Sequence, residues 1–196
     1  MQALAHEHED NTKKVKLLSE YAKWRKVFDK QMSERFPISR PWDHAIELKD
    51  GFKPKISKIY PLNIHEDQLM YKWIDEQLKK GYIRESTSQQ ALPFFYVAKK
   101  EKGELRPCQD YRYINSWTKR NAYPLPLVSD LLLKLRNAKY FSKLDLRWGY
   151  NNVRIKEGDE WKAAFITNRG LYEPTVMLFG LCNSPSTFQT MMNEYF

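Results

Sequence analysis

The chain has 196 residues, 42% of them hydrophobic and 14% aromatic, so it can bury the core of one domain or slightly more. Its 33 Lys and Arg against 24 Asp and Glu give a net charge of +9, which favours a polyanionic partner but also fits simple solubility. The two cysteines form no C-x-x-C pair, which argues against a zinc ribbon and a disulfide framework. Because there is no signal-like N-terminus and no apolar run of about 18 residues, we expect an intracellular chain without a membrane partner.

The first 60 residues predict a surface helix and an extended connector. From Lys13 to about Met32, apolar residues recur at helical spacing among many lysines. Prolines end this helix, and the next residues alternate short apolar runs with Gly and Pro, as an extended segment does. Asp43 and His44 lie side by side there, but neighbours in an extended chain point to opposite faces, so we expect no catalytic acid–base pair.

A capped helix and a β-hairpin are predicted next. Asn63, with Glu66 three positions later, predicts a capping box, and an apolar stripe continues until Gly81 supplies a C-terminal stop. The strand-like runs "LPFFYVAKK" and "LRPCQDYRYIN" flank the turn "EKGE", which predicts a hairpin from Leu92 to Asn115.

The hairpin carries much of the positive charge. Between Lys99 and Arg120 there are seven basic residues against three acidic ones. Such a surface suits a triphosphate or a phosphodiester backbone, because Arg binds phosphate oxygens in a bidentate fork and Lys acts as a point charge. A solvated hairpin without function remains the alternative. No phosphate-binding glycine loop or H-E-x-x-H motif occurs, so phosphate chemistry here would need metal ions held by carboxylates.

The last third of the chain predicts a helix, a strand with a single acid, a second hairpin and a final helix. The first helix spans Val128 to Leu135, and the following strand carries Asp145 directly before a turn, a suitable place for a first metal ligand. The second antiparallel pair turns at residues 168–170. Ser184 is a good N-cap with Pro185 at the first helical position.

The segment "AKYFSKLDLRWGYNNVRIKEGDEWKAAFITNRGLYEPTVMLFGLCNSPSTFQTMMN" closely resembles the reverse transcriptase of Ty3/gypsy-type LTR retrotransposons. The blocks "DHAIELKDG", "IYPL", "KKGYIRES", "FFYVAKKEKGELRPCQDYRYIN" and "NAYPLPLVSDLL" extend the resemblance back to about residue 40. The resemblance implies an α+β right-hand polymerase fold, in which antiparallel hairpins pack with helices to form fingers and an incomplete palm. The implied activity is that of an RNA-directed DNA polymerase, a nucleotidyltransferase.

The resemblance also divides the chain. After the helix and connector of residues 1–60, it implies fingers over 61–119, palm over 120–152, fingers again over 153–183 and the start of a palm helix over 184–196. The family's Y-x-D-D hairpin, thumb and RNase H domain do not occur in this sequence. We therefore expect a fragment that is inactive alone, with a non-catalytic nucleic-acid-binding fragment or a retroelement remnant as the alternatives.

The resemblance assigns roles to single residues. Asp145 matches the catalytic, metal-binding aspartate of the palm, whose complete site holds two Mg²⁺ or Mn²⁺ ions. Tyr150 matches the aromatic residue that excludes a ribose 2′-hydroxyl, with a core tyrosine as the alternative. The family usually has proline where this chain has Leu178. The implied nucleotide-binding residues are Lys99, Lys100, Arg106, Arg147, Trp148, Gly149, Tyr150, Phe179, Gly180 and Leu181.

Partners and location follow from the same resemblance. The implied partners are an RNA or DNA template–primer and deoxynucleoside triphosphates, together with self-association through the truncated palm. The expected location is the cytoplasm, in a virus-like particle, or the nucleus. The implied nucleic-acid-binding residues are Asp110, Arg112, Asn115, Lys119 and Arg120, of which Asp110 and Arg112 either brace the hairpin or touch the template.

Overall fold

The computed structural model describes residues 19–98, 104–124, 126–143 and 145–195, in two units, 1–35 and 36–196. In the first unit a 3₁₀ helix spans Ser19–Phe28 and a single α-helical turn, α1, spans Lys30–Ser33. The prediction of an α-helix from Lys13 to about Met32 is therefore wrong for most of the residues of that range that the structure describes. The side chains of residues 19–27 are exposed, so packing among the described residues of this unit does not favour α-helical geometry.

The second unit begins its regular structure with the predicted capped helix, α2, Ile64–Lys80. The Asn63 side chain accepts a hydrogen bond from the Glu66 amide, and the Glu66 carboxylate accepts one from the Asn63 amide, both at 2.9 Å. Gly81 ends the helix in the left-handed conformation, with φ of 71°. The capping box and the glycine stop are both confirmed, and the inner face of α2 buries Ile74 completely.

The predicted hairpins combine into a single five-stranded sheet in the order β1-β5-β4-β2-β3. Both predicted antiparallel pairs, β2 with β3 and β4 with β5, are confirmed. They lie side by side because β2 and β4 pair in parallel, and β1 adds to the edge of β5. The strands are β1 Ile83–Glu85, β2 Leu92–Ala98, β3 Leu105–Gln109, β4 Phe165–Thr167 and β5 Gly170–Pro174.

The first hairpin is shorter than predicted. Strand β3 ends at Gln109, and a helix, α3, spans Arg112–Trp117 where the sequence predicted strand up to Asn115. The reason is local, because the Asp110 carboxylate accepts a hydrogen bond from the Arg112 amide at 3.1 Å and turns the chain. This turn places Asp110 and Arg112 at the junction of strand and helix.

The connector runs as an extended segment, as predicted. The His44 amide donates to the Arg154 carbonyl at 2.7 Å, and the Ser57 amide donates to the Ala91 carbonyl at 2.8 Å. A core around Tyr111 lies between the connector, α3 and residues 153–181, and a second core lies between α2 and the sheet. Among the residues that the structure describes, no helix has the length and apolar character needed to cross a membrane.

Helix α4, Val128–Leu135, forms as predicted, and every described residue from 126 to 148 is exposed. Asp145 lies outside any regular element, so the predicted strand around it is wrong for the described residues. Every described residue of this segment is exposed, and none of the five described strands pairs with it to supply the hydrogen bonds that a strand needs. Short 3₁₀ helices follow at Gly149–Asn152 and Glu160–Ala163.

The last helix, α5, spans Ser184–Tyr195 and begins one residue earlier than predicted. Ser184 is its first residue and not its N-cap, and the Ser184 hydroxyl donates to the Leu178 carbonyl at 3.4 Å. The first turn closes from the Thr187 amide to the Asn183 carbonyl at 3.0 Å. Met191 packs from this helix onto Val153 and Met177.

Candidate functional site

An ion pair stands at the junction of β3 and α3. Two nitrogens of the Arg112 guanidinium, Nε and Nη2, donate to the two Asp110 carboxylate oxygens at 2.9 and 2.6 Å. The Tyr60 hydroxyl donates to the same carboxylate at 3.1 Å. These hydrogen bonds, that of Arg112 above all, lower the pKa of Asp110 to about 2. The Arg112 side chain is 85% exposed, so its other N–H donors face solvent in a fixed orientation.

Asn115 ties α3 to the loop that precedes α5. Its side-chain amide donates to the Gly180 carbonyl at 2.7 Å, and its side-chain carbonyl accepts from the Cys182 amide at 2.9 Å. Gly180 has a φ of +103°, and a Cβ there would lie 3.1 Å from the Tyr111 ring. The positive φ strongly favours glycine, and any larger residue would also have to displace the Tyr111 ring slightly.

An aromatic group extends this loop towards the 3₁₀ helix at Gly149. The Tyr150 ring lies 4.7 Å from the Phe179 ring and 5.3 Å from the Phe188 ring, measured between centroids. Phe179 is 58% exposed, so the group presents an aromatic face to solvent. A Cβ at Gly149 would meet the Phe188 ring at 3.1 Å, which gives this glycine a packing role of its own.

A cleft of about 460 Å³ lies between these groups. It is lined by Asp110, Arg112, Asn115 and Gly180 and by the rings of Tyr60 and Phe95, whose centroids are 6.3 Å apart. The fold therefore brings together four predicted site residues from two distant parts of the sequence. We call this space the α3 cleft.

Tyr60 and Phe95 were not among the site residues predicted from the sequence. Both are aromatic residues of the family-like blocks, one at the end of the connector and one in the hairpin. Their roles depend on the Tyr60 hydroxyl reaching Asp110, a contact that joins residues 50 positions apart. No local pattern encodes such a contact.

The segment before the aromatic group is open to solvent. Asp145, Arg147 and Trp148 are all exposed. Trp148 has the left-handed angles φ 48° and ψ 46°, a conformation that costs a non-glycine residue about 1 kcal/mol or more. The Asn152 side chain donates to the carbonyls of Arg147 and Trp148, both at 3.2 Å, and so holds this turn.

The described residues do not make up a metal site by themselves. Divalent metal ions of the Mg²⁺ type take several oxygen ligands, and Asp145 offers one exposed carboxylate. Within residues 19–98, 104–124, 126–143 and 145–195, no three His, Cys, Asp or Glu side chains lie together as a ligand group. An ion at Asp145 would therefore take most of its ligands from water, a substrate phosphate or other carboxylates.

Other predicted site residues lie apart from the α3 cleft. Lys119 and Arg120 line a separate cleft of about 470 Å³ beside Trp42. The Leu181 side chain is buried in the core, which leaves its backbone for any contact with a nucleotide. Arg106 is exposed on β3 opposite Val97. Lys99 and Lys100 lie outside the described residues.

A family model described as "Reverse transcriptase (RNA-dependent DNA polymerase)" matches residues 97–196, slightly more than half of the chain. The chain belongs to the reverse transcriptase family. The match includes α3, the aromatic group and the loop at Gly180, and so covers most of the α3 cleft. The predicted resemblance is thereby confirmed at the level of the family.

Relatives of this reverse transcriptase chain are found among retrotransposon and viral proteins. The Transposon Tf2-3 polyprotein of Schizosaccharomyces pombe is 43% identical over 134 residues, covering 68% of this chain and 10% of the polyprotein. The prototype foamy virus protease-reverse transcriptase, in a mutant form, superimposes with a TM-score of 0.72 at 24% identity, covering 91% of this chain and 25% of the other. A foamy viral protease-reverse transcriptase in complex with an RNA/DNA hybrid superimposes with a TM-score of 0.68 at 20% identity, again covering 91% of this chain and 25% of the other.

These similarities confirm the predicted α+β polymerase fold and the relationship to retrotransposon polyproteins. The chain spans about a tenth of the length of the curated relatives it matches. Reverse transcriptases generally use divalent metal ions, which agrees with the predicted cofactor class without placing an ion on this chain.

Proposed function

We propose that this chain is the template- and nucleotide-binding part of a retrotransposon reverse transcriptase, which copies RNA into DNA with deoxynucleoside triphosphates. The observation that carries the proposal is the α3 cleft, in which Asp110, Arg112, Asn115 and Gly180 meet. A foamy viral relative of the same fold is known in complex with an RNA/DNA hybrid, which supports a nucleic-acid partner.

The α3 cleft has the chemistry to hold one unpaired template nucleotide. The guanidinium of Arg112 is fixed by Asp110, and its outward-facing donors suit a phosphate oxygen. The rings of Tyr60 and Phe95 offer faces on which a base can stack. The absence of a side chain at Gly180 lets the sugar–phosphate chain approach the loop backbone.

The aromatic group next to the cleft suits the incoming nucleotide. Tyr150 is packed against Phe179 and Phe188, so its ring is fixed as a wall where a sugar would lie. A fixed ring distinguishes deoxyribose from ribose because a 2′-hydroxyl adds volume against it. Asp145, exposed a few residues earlier, would contribute one carboxylate near the triphosphate.

The binding proposal is tested by fluorescence anisotropy with a labelled primer–template made of DNA on RNA. Arg112→Gln should weaken binding. It should also reduce the slope of log K against log salt concentration by about 0.7 to 0.9 in magnitude, the value of one phosphate contact. The matched control is Arg136→Gln, which removes the same charge from an exposed arginine at the end of α4. Equal losses in the two variants would show that only overall charge matters and would overturn the proposal.

A primer-extension assay distinguishes the two alternatives for the function, a catalytic part and a binding module. The unaltered protein and Asp145→Asn are compared with deoxynucleotides and Mg²⁺ or Mn²⁺. Extension that is lost in the variant supports catalysis by this chain. Binding without extension in either protein supports the binding module.

The proposed partners include a second copy of this chain. Among the described residues from 127 to 146, nine large apolar side chains on and around α4 are exposed, including Leu132, Leu133 and Tyr140. Exposed apolar side chains in this number are typical of an association surface, which favours contact between two α4 helices.

Sedimentation velocity over a range of concentrations tests this association. The unaltered chain should shift from monomer to dimer as concentration rises, and the double variant Leu132→Glu with Leu133→Glu should stay monomeric. The proposed association would be contradicted if the unaltered chain stayed monomeric at all concentrations up to about 100 μM, which corresponds to a free energy of dimerisation weaker than about 5.5 kcal/mol.

A further inference from the structure

A separate pocket of about 260 Å³ lies at the start of α2. Residues 59–62, the first two turns of α2, and strands β2 and β4 with the turn that follows β4 all contribute to its lining. Pockets for drug-sized molecules have volumes of roughly 300 to 1,000 Å³, so this one has room for a smaller ligand and not for a peptide or a nucleic-acid strand. We call this space the α2 pocket.

The floor of the α2 pocket is part of the hydrophobic core. Met70 of α2 and Phe94 of β2 are buried, and both belong to the core between α2 and the sheet. The Phe94 ring lies 5.4 Å from the Trp73 ring and 5.3 Å from the Tyr96 ring, measured between centroids. These contacts fix the Phe94 ring, so the pocket offers a ligand a preformed aromatic surface.

The rim of the α2 pocket is apolar and open to solvent. Ile64, the first residue of α2, is 81% exposed, and Ile59 is 46% exposed. Tyr60 lines both the α2 pocket and the α3 cleft, so the two spaces adjoin at this side chain. Exposed apolar side chains that continue the lining of a pocket are typical of a ligand-binding site.

Among the residues that line the α2 pocket, Asp67 carries the charge. Its carboxylate accepts a hydrogen bond from the Asn168 side-chain amide, and a carboxylate has about four lone-pair sites for such bonds. Arg169, the residue after Asn168, directs its own charge to Asp75, with an N–O distance of 2.6 Å. A carboxylate in an apolar wall favours a ligand that brings one positive charge, because a charged group away from water needs a partner.

We propose that the α2 pocket is a binding site for a small aromatic amine. The ring of the ligand packs against Phe94 and Tyr60, which favour an aromatic partner over an aliphatic one of the same size. The ammonium group donates to the Asp67 carboxylate, a charge-assisted hydrogen bond at the edge of an apolar space. This inference is independent of the proposed function, because neither a template nor a nucleotide takes part in it.

The test compares tryptamine with indole-3-acetate, which carry the same ring and opposite charges, by isothermal titration calorimetry. The unaltered chain should bind tryptamine with a Kd of about 1 mM or tighter, a reasonable affinity for a ligand of this size. It should bind indole-3-acetate at least about fivefold more weakly. The net charge of +9 attracts the acetate and repels the amine, so a preference for the amine requires a local negative group.

Removing the charge of Asp67 tests the ammonium contact. Asp67→Asn keeps an oxygen that can accept from Asn168, and it should weaken tryptamine binding about tenfold and abolish the preference for the amine. The matched control is Glu76→Gln, which removes the same charge from an exposed residue of α2 outside the pocket. This control should bind both compounds like the unaltered chain.

Adding a charge at the rim tests the location without disturbing a buried group. Ile64→Lys places an ammonium group beside the pocket and should weaken tryptamine binding about fivefold by repulsion. Ile56→Lys adds the same charge at an isoleucine that is 72% exposed and does not line the pocket, so it should leave the affinity unchanged. Circular dichroism checks that all four variants fold like the unaltered chain.

Three results would overturn the inference. The first is no saturable binding of tryptamine up to about 10 mM, roughly ten times the expected Kd. The second is equal affinity of the unaltered chain for the two compounds, which would leave Asp67 without a role. The third is an equal loss in Ile64→Lys and Ile56→Lys, which would show that only overall charge matters. None of these results bears on primer–template binding, so the proposed function is judged separately.

Discussion

Acidification should destabilise this fold through His44, a residue of the connector. Its side chain is only 2% exposed, and its Nδ1 lies 2.9 Å from the Thr187 hydroxyl of α5. Burial lowers the pKa of His44 to about 4, and the charge of Asp159 opposes this only in part. The folded state therefore holds His44 neutral, whereas the unfolded chain protonates it near pH 6.5.

The size and sign of the effect follow from these two pKa values. At pH values between the two pKa values, the unfolded state binds more protons than the folded state. The contribution of neutral His44 to stability is therefore fully present above about pH 6.5 and is lost as the pH falls towards 4. The full loss corresponds to about 3 kcal/mol, because one pKa unit is about 1.4 kcal/mol. From pH 7.5 to pH 5, where few carboxylates titrate, the loss should be about 2 kcal/mol.

The assay is urea unfolding followed by tryptophan fluorescence at pH 7.5 and pH 5. Between pH 7.5 and pH 5, the free energy of unfolding of the unaltered chain should fall by about 2 kcal/mol more than that of His44→Gln, because glutamine cannot take up the proton. His65→Gln, which replaces an exposed histidine of α2 by the same residue, is the matched comparison variant. If His44→Gln lost as much stability as the unaltered chain, the assignment of a buried neutral His44 would be refuted.

Three further substitutions test the construction of the site and its scaffold, each by urea unfolding. Gly180→Ala should lower the free energy of unfolding by about 1 to 3 kcal/mol, because the new Cβ adopts a positive φ and meets the Tyr111 ring. Gly51→Ala should cost less, because Gly51 has a φ of +81° but no atom within 4 Å of the added Cβ. Equal losses in the two variants would show that the contact with Tyr111 does not contribute. Asn115→Ala should cost about 1 to 3 kcal/mol, because two backbone groups lose their partners, and a neutral result would contradict the link to α5. Asn63→Ala should cost about 1 kcal/mol by removing the N-cap of α2, and an unchanged denaturation midpoint would argue against the capping box.

Local signals predicted the parts of the fold that depend on neighbours in sequence. The capping box at Asn63, the glycine stop at Gly81 and helix α4 all formed at the predicted residues. The two hairpins formed because their turns and strand-forming residues are adjacent in the chain. The strand predicted up to Asn115 was wrong for a local reason, the turn at Asp110. Three further predictions were wrong, those of an α-helix before α1, a strand at Asp145 and the N-cap of α5. In each case the outcome depends on whether another part of the chain supplies packing or a hydrogen-bond partner.

The sequence by itself determined the family, through ordered blocks from about residue 40 onwards, and it predicted Asp110, Arg112, Asn115 and Gly180 as site residues. Only the tertiary structure decided that these four meet in one cleft, that Lys119 and Arg120 face another, and that Leu181 belongs to the core. It also decided that the connector, through Tyr60, forms part of the wall of the α3 cleft. The physical reason is that such contacts join residues tens of positions apart, and a sequence pattern records side-chain chemistry but not which distant segment will lie beside it.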